Sequence, residues 1–163
     1  MGGPEPAAAP AEASAAALAA WFEAQPDLGA EQLDDGGWFV VLAGEHKKTV
    51  PVHLSIGDRH VLVQSFFMRA PDENEAGLYD YLLRRNLRSY VLRFALTPDG
   101  DVLIVGMLPH AAVDQAELDR VLGQVLALAD EAFATALRLG FASYIEREQA
   151  WRAQVGAPRN PIT

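Results

Sequence analysis

Arg84, Arg85 and Arg88, with Arg93 a few residues further on, form the densest group of chemistry-bearing side chains in this 163-residue sequence. A guanidinium is a planar fork of donors that matches phosphate and carboxylate, so the cluster could hold a nucleotide, an anionic metabolite or an acidic partner. The same residues have a plainer use. Asp80 stands one helical turn before Arg84, and a cation near the carboxyl end of a helix is favoured by the helix dipole, each by roughly 0.3 to 1 kcal/mol. Phosphate-binding footprints normally belong to basic domains, and the net charge here is -9. Helix pairing is therefore the preferred reading and contact with an anionic ligand or acidic partner the second.

Other arrangements that could do chemistry are sparse. If a two-residue Gly57-Asp58 turn joins their strands, His53 and His60 are diagonal neighbours on one polar face, a spacing that zinc can bridge; a three-residue turn puts them on opposite faces. No third histidine completes a set and there is no cysteine, so neither a metal nor another cofactor is expected. Glu146 and Glu148 flank Arg147 on what reads as a solvated helix face. A GxSxG elbow, HExxH, P-loop and GxGxxG are all missing. Nothing reads as catalytic, and the chain is not expected to be an enzyme.

Composition narrows the classes further. Half of the residues are hydrophobic and a fifth charged, the mixture of a soluble globular protein. Without cysteine there is no disulfide and no thiolate nucleophile. No apolar run approaches the roughly 20 residues that span a bilayer, and MGGPEPAAAP lacks the basic start and apolar centre of a secretory signal, so a cytoplasmic protein without membrane contact is expected. Glu5, Glu12, Glu23, Asp27, Glu31, Asp34 and Asp35 stand in a leading stretch of 36 residues that has no Lys or Arg, whereas the remainder carries 15 acids against 13 bases. Such an arm disfavours nucleic acid and anionic membrane as partners.

Periodicity supplies the elements that must position these residues. Residues 1–10 are an Ala/Pro arm expected to be disordered. Alanines from Ala11 to Ala24 favour a helix with Leu18, Trp21 and Phe22 on one stripe. Trp38–Gly44, Thr49–Ile56 and His60–Met68 read as a three-stranded antiparallel meander, with Pro51 placed where no ladder bond is needed. Asp72 and Glu75 have the spacing of a capping box for a helix from Glu73 to Leu87. Tyr90–Leu96 and Asp101–Leu108 make a second hairpin around Thr97-Pro98-Asp99-Gly100. Asp114 and Glu117 repeat the box and open a long helix to Leu139, with Gly140 as a left-handed terminator. Ser143–Gln154 is a further short helix. The fold expected is α+β, a five-stranded antiparallel sheet packed with helices in the order α-β-β-β-α-β-β-α-α, with one domain over residues 11–155 and a flexible tail over 156–163.

The segments FMRAPDENEAGLYDYLLRRNLRSY, FALTPDGDVLIVGMLP, LGFAS and IEREQAWR, in this order between Trp38 and Arg152, resemble the YbjN family of bacterial proteins, described as sensory transduction regulators. The resemblance implies a type III secretion chaperone-like fold, usually dimeric, with no established catalytic activity.

The helix that carries the arginines is apolar on more than one side. Leu78 and Leu82 face one way, while Tyr79 and Leu83 are rotated by about 100°. A helix on one sheet needs a single stripe, so the second side, with Tyr79 or Tyr81, is expected either to seat another subunit or to line a wide groove within the monomer. Trp151 either staples the last helix to the core or fills a partner's pocket. The resulting expectation is a chaperone-like or regulatory protein-binding module, a homodimer that engages an unidentified client through a sheet face, an edge strand or the helical groove. The alternative is a sensor that binds an anionic small molecule or nucleotide through Arg84, Arg85 and Arg88.

Overall fold

The computed structural model describes residues 9–161. Apart from Ala9 and Pro10, the arm expected to be disordered lies outside the described residues. Pro10 opens helix α1 (Pro10–Glu23), where its missing N–H costs nothing. The stripe reads as expected: Leu18, Trp21 and Phe22 are all buried. Phe22 stacks on Trp38 with ring centroids 4.6 Å apart, and Trp21 Nε1 donates to Asp119 Oδ1 at 2.8 Å, so α1 is tied to both the sheet and the long helix behind it.

Then come strands β1 (Glu31–Gln32), β2 (Trp38–Leu42), β3 (Val50–Ile56) and β4 (His60–Met68), helix α2 (Glu75–Asn86), strands β5 (Arg93–Leu96) and β6 (Val102–Pro109), and helices α3 (Gln115–Gly140) and α4 (Ala142–Gln154). The sheet is antiparallel in the order β1-β2-β3-β4-β6-β5. It has six strands, not five. The extra one is two polar residues, too short and too hydrophilic to show an alternating pattern, and it exists because Glu31 and Gln32 pair with Phe39 and Trp38. Since β6 lies between β4 and β5, those two run parallel and α2 is the crossover of a split βαβ unit. Pro51 lies beyond the β3–β4 ladder, which covers only His53–Ile56, so its missing donor interrupts no pairing there.

The core sits on one face of the sheet. Val40, Val52, Leu54, Val61, Val63, Phe67, Val102, Ile104 and Leu108 point to it, and α3 lays Leu118, Val121, Leu122, Val125, Ala129, Ala132 and Ala136 across them.

Two helix signals are used differently from what their spacing suggests. α2 starts at Glu75 with Asn74 before it in a left-handed conformation (φ 52°) and no side-chain cap. Asp72 instead pairs with Arg69 at 2.7 Å, and Glu73 reaches the start of α4, accepting from Ser143 N at 2.7 Å and from its hydroxyl at 3.2 Å. The backbone N–H groups of Asp72 and Glu73 both donate to Gly140 O. The PDEN segment thus joins the end of α3 to the start of α4, and these competing partners take the carboxylates away from α2. At Asp114 the expected cap holds, its Oδ1 accepting from Glu117 N at 2.8 Å, but Glu117 turns to Arg120 instead of completing the box. Gly140 is not a left-handed terminator; it is the last residue of α3, and a Cβ there would stand 2.9 Å from Pro71 Cβ. It is glycine for proximity.

The loop between β2 and β3 hangs on α3 through Asp130, whose Oδ1 accepts from His46 N at 2.7 Å and Lys47 N at 2.8 Å. Towards the C-terminus, where a flexible tail is expected, Asn160 exchanges hydrogen bonds with Gln149 of α4 at 3.0 and 3.1 Å.

Two outcomes follow for stability. Gly140→Ala should destabilise the protein by about 1 to 3 kcal/mol through overpacking against Pro71, read by denaturant unfolding. For Asp130, burial alone would raise the carboxyl pKa, but hydrogen bonds from the Lys47 and His46 backbone and from the His46 ring hold it below the usual 3.8. A depressed folded-state value means stabilisation that is full above 3.8 and is lost as the pH falls through the lowered value. Wild type should therefore unfold at higher temperature than Asp130→Asn near neutrality, and the two melting curves should converge in acid.

Candidate functional site

Helix α2 buries Leu78 and Leu82 against the core and leaves Tyr79 and Tyr81 half-buried, while Leu83 is 67% exposed. The second apolar side therefore exists, and much of it is uncovered within the chain. Tyr79, Leu82 and Leu83 face Phe94, Ala95, Leu96 and Val102 across an apolar groove of about 140 Å³. Its far wall is β5, the last strand of the sheet, and beyond the helix Leu87 is 88% exposed.

An edge strand offers unpaired backbone to an incoming strand. Here that offer is withdrawn at the centre of β5. Asn86 Oδ1 accepts from Phe94 N at 2.8 Å and Asn86 Nδ2 donates to Phe94 O at 3.2 Å, so one side chain takes both groups a peptide would need. At the opposite edge β1 is only two residues long. Strand addition, one of the docking modes expected from the topology, is blunted at both ends.

The four arginines do not converge. Arg84 Nε donates to both oxygens of Asp80, at 2.8 and 3.0 Å, and this contact holds the Asp80 carboxyl below its ordinary value. Arg85 pairs with Glu131 of α3 at 2.9 Å and lies 5.7 Å from the Tyr81 ring centroid. Arg93 turns its Nη1 onto the carbonyls of Ser89, Tyr90 and Leu92. Arg88 alone has no side-chain partner among the described residues. The surrounding depression, about 540 Å³, includes Tyr81, Leu87, Leu128 and the acid Glu131. It offers one spare guanidinium where a phosphate site would gather several.

The sheet face turned away from α3 is apolar and open. Register places Phe39, His53, Gln64, Val105 and Arg93 in one row across it and Ser55, Leu62 and Met107 in the next. Val41 is 46% and Met107 62% exposed on this side, and Phe39, Leu62, Leu103 and Val105 are half-buried. His53 Nε2 is shielded there without a partner among the described residues.

The turn after β3 is a two-residue Asp58-Arg59 turn, closed by Gly57 N donating to His60 O at 2.9 Å, and not Gly57-Asp58. His53 and His60 do share a face, but His60 stands opposite Gly57, four residues along from His53. At strand rise that is roughly 13 Å, too far to share an ion. Among the described residues no three His, Cys, Asp or Glu side chains gather in a metal-binding group. Trp151 is 58% exposed on α4, so its ring does not staple that helix to the core. No helix among the described residues is long and apolar enough to cross a membrane.

A family described as "Putative bacterial sensory transduction regulator", YbjN, matches residues 14–138. The chain belongs to the YbjN family. Among curated proteins, uncharacterised proteins of Mycobacterium bovis and Mycobacterium tuberculosis are each 46% identical over 117 residues, covering 72% of this chain and 64% of theirs. One from Mycobacterium leprae is 44% identical over 123 residues, covering 76% of this chain and 67% of its own. The chain thus spans a little under two thirds of the length of the first of these YbjN relatives. Two solved structures are similar in arrangement. A chain of the heterodimeric ExoU–SpcU complex from the Pseudomonas aeruginosa type III secretion system gives a TM-score of 0.46 at 13% identity, covering 63% of this chain and 84% of that one. The Yersinia pestis type III secretion chaperone SycH, in complex with a fragment of YscM2, gives 0.49 at 23% identity, covering 71% and 96%.

Sequence reasoning located α2 and its second side but missed Asn86 as an edge cap, since a helix-terminal asparagine carries no local sign of which strand it will meet. It named a sheet face as one docking surface without reading the outer face as apolar, although Leu103, Val105 and Met107 alternate with buried residues and could have signalled it. Asn86→Ala should destabilise this YbjN protein by roughly 1 to 3 kcal/mol, because Phe94 is left with two shielded backbone groups. Hydrogen exchange at the Phe94 amide should accelerate relative to its β6 neighbours.

Proposed function

We propose that this YbjN protein is a non-enzymatic protein-binding regulatory module that works as a homodimer and holds a client protein. The observation that carries the reading is that apolar side chains are left over in two separate places once the core is closed: the α2–β5 corner and the outer face of the sheet. Contiguous apolar surface of this kind marks association sites more often than isolated exposed residues do.

The α2 corner suits self-association. Leu83 and Leu87 supply the apolar centre, the Tyr79 groove a recess, and Asp80 with Arg84 a pair of opposite charges on one patch. A two-fold axis makes residue i meet j while j meets i, so such a patch complements itself. The sheet face suits a client. It is broad and apolar, with His53 and Gln64 supplying polar contacts, and side chains would carry the recognition there, since a sheet face offers no free backbone groups and Asn86 caps the β5 edge beside it.

In light scattering at micromolar concentration the wild type should run as a dimer and Leu83→Glu as a folded monomer with unchanged circular dichroism, its melting temperature lower by the lost association alone and independent of protein concentration; a monomeric wild type would sink the dimer. A photo-cross-linker at position 107 should join a distinct protein in cells while dimerisation persists. Cross-links to nothing, or only to a second copy of the chain, would remove the client from the reading.

A further inference from the structure

A separate cavity of about 410 Å³ opens where the end of β4, α3 and α4 meet. Its walls are largely aromatic, with Phe66, Phe133, Phe141 and Tyr144 among them, and Lys47 enters it from the β2–β3 loop. Lys47 is only 9% exposed. Its Nζ lies 4.7 Å from the centroid of the Phe133 ring, and it has neither a carboxylate nor a hydrogen-bond acceptor among the described residues.

The stem of Lys47 is buried while its ammonium opens to the cavity, so the head group is partly desolvated, has no acid beside it and rests against one aromatic face that restores the lost hydration only in part. Burial lowers the Lys47 pKa accordingly. The loop also holds the residue firmly: Asp130 takes the Lys47 N–H, and Gly44 N donates to Lys47 O at 3.2 Å. The other charges of the lining are committed. Arg69 pairs with Asp72 and stacks over Phe141 at 4.2 Å, while Glu148 is bonded to Arg152 at 2.9 Å and to Asn160 at 2.8 Å.

We infer that this cavity is a binding site for a small organic monocarboxylate with an aromatic or short alkyl body, its carboxylate on Lys47 Nζ and its apolar part among Phe66, Phe133 and Tyr144. The size falls in the range of small-molecule sites, which are apolar with a few fixed polar groups. One uncommitted cation sets the charge of the ligand at one. A phosphate or other dianion would meet a single ammonium, with the Glu148 carboxylate in the same lining.

Lys47 and Lys48 are the only lysines in the chain, so protein labelled with 13C-lysine gives two side-chain signals, one inside the cavity and one outside. Titration with phenylacetate and with hexanoate should move the Lys47 signal saturably and leave Lys48 in place, whereas phenylacetamide and hexanamide should bind roughly tenfold or more weakly for want of the charge-assisted bond. Lys47→Met should stay folded and lose the preference for acid over amide. The site is overturned if neither acid moves Lys47, or if acids and amides bind alike in the wild type, a comparison that does not depend on the variant folding.

Discussion

One constraint organises the molecule: a six-stranded sheet is covered by helices on one face only. α3 runs 26 residues, about 39 Å at the helical rise, and its apolar stripe lies over the central strands. α1 and α2 extend that cover to either side, and Trp21 bonded to Asp119 and Arg85 paired with Glu131 fasten them to the central helix. A second helical layer would bury the outer face; none of the described helices supplies it. The apolar alternation of β4 and β6 is therefore complete on one side and left open on the other. A two-layer domain that keeps Met107 and Val41 in water leaves apolar surface for association.

The same constraint explains how the polar residues are used. With only one buried face, loops and helix ends lie close to the rim, and each needs a partner for its free backbone groups. Glu73 serves the start of α4, Asp130 serves two N–H groups of the β2–β3 loop, and Asn86 serves both groups of Phe94. These are long-range bonds made by short polar side chains. No local spacing of Glu73, Asp130 or Asn86 announces these bonds, and at Asp72, where spacing does suggest a cap, the carboxylate goes to Arg69 instead.

This is why the sequence was legible in its elements and opaque at its joints. The stripe at Leu18, Trp21 and Phe22, the alternation of Val50, Val52 and Leu54, and the Pro98-Asp99-Gly100 turn each depend on neighbours within one element, and each reads correctly. Asp72 and Glu73 depend on Arg69 and on Ser143 of α4, and no spacing rule contains that information. The two residues of β1 have no pattern at all; only pairing with β2 makes them a strand. At the candidate surface, the second side of α2 was visible because a helix displays its own faces. The open sheet face and the Lys47 cavity were hidden because what exposes one, and what encloses the other, comes from elsewhere in the chain.

Placed beside those joints, Lys47 is the exception. Arg69, Glu117, Asp130 and Glu148 each finish a helix end, a loop or an ion pair, and the cost of each is offset by the group it satisfies. Lys47 satisfies nothing with its ammonium, although its own backbone is held at both N–H and C=O. A side chain whose main chain is fixed and whose head group is unpaired is preorganised towards something not yet in place. Trp38 Nε1, His53 Nε2, Ser65 Oγ, Arg85 Nε and Ser89 Oγ are also shielded without a partner among the described residues, but Lys47 differs from them in turning an ammonium into an open cavity, which is better explained by a ligand than by packing, since packing alone would favour an apolar residue at this position.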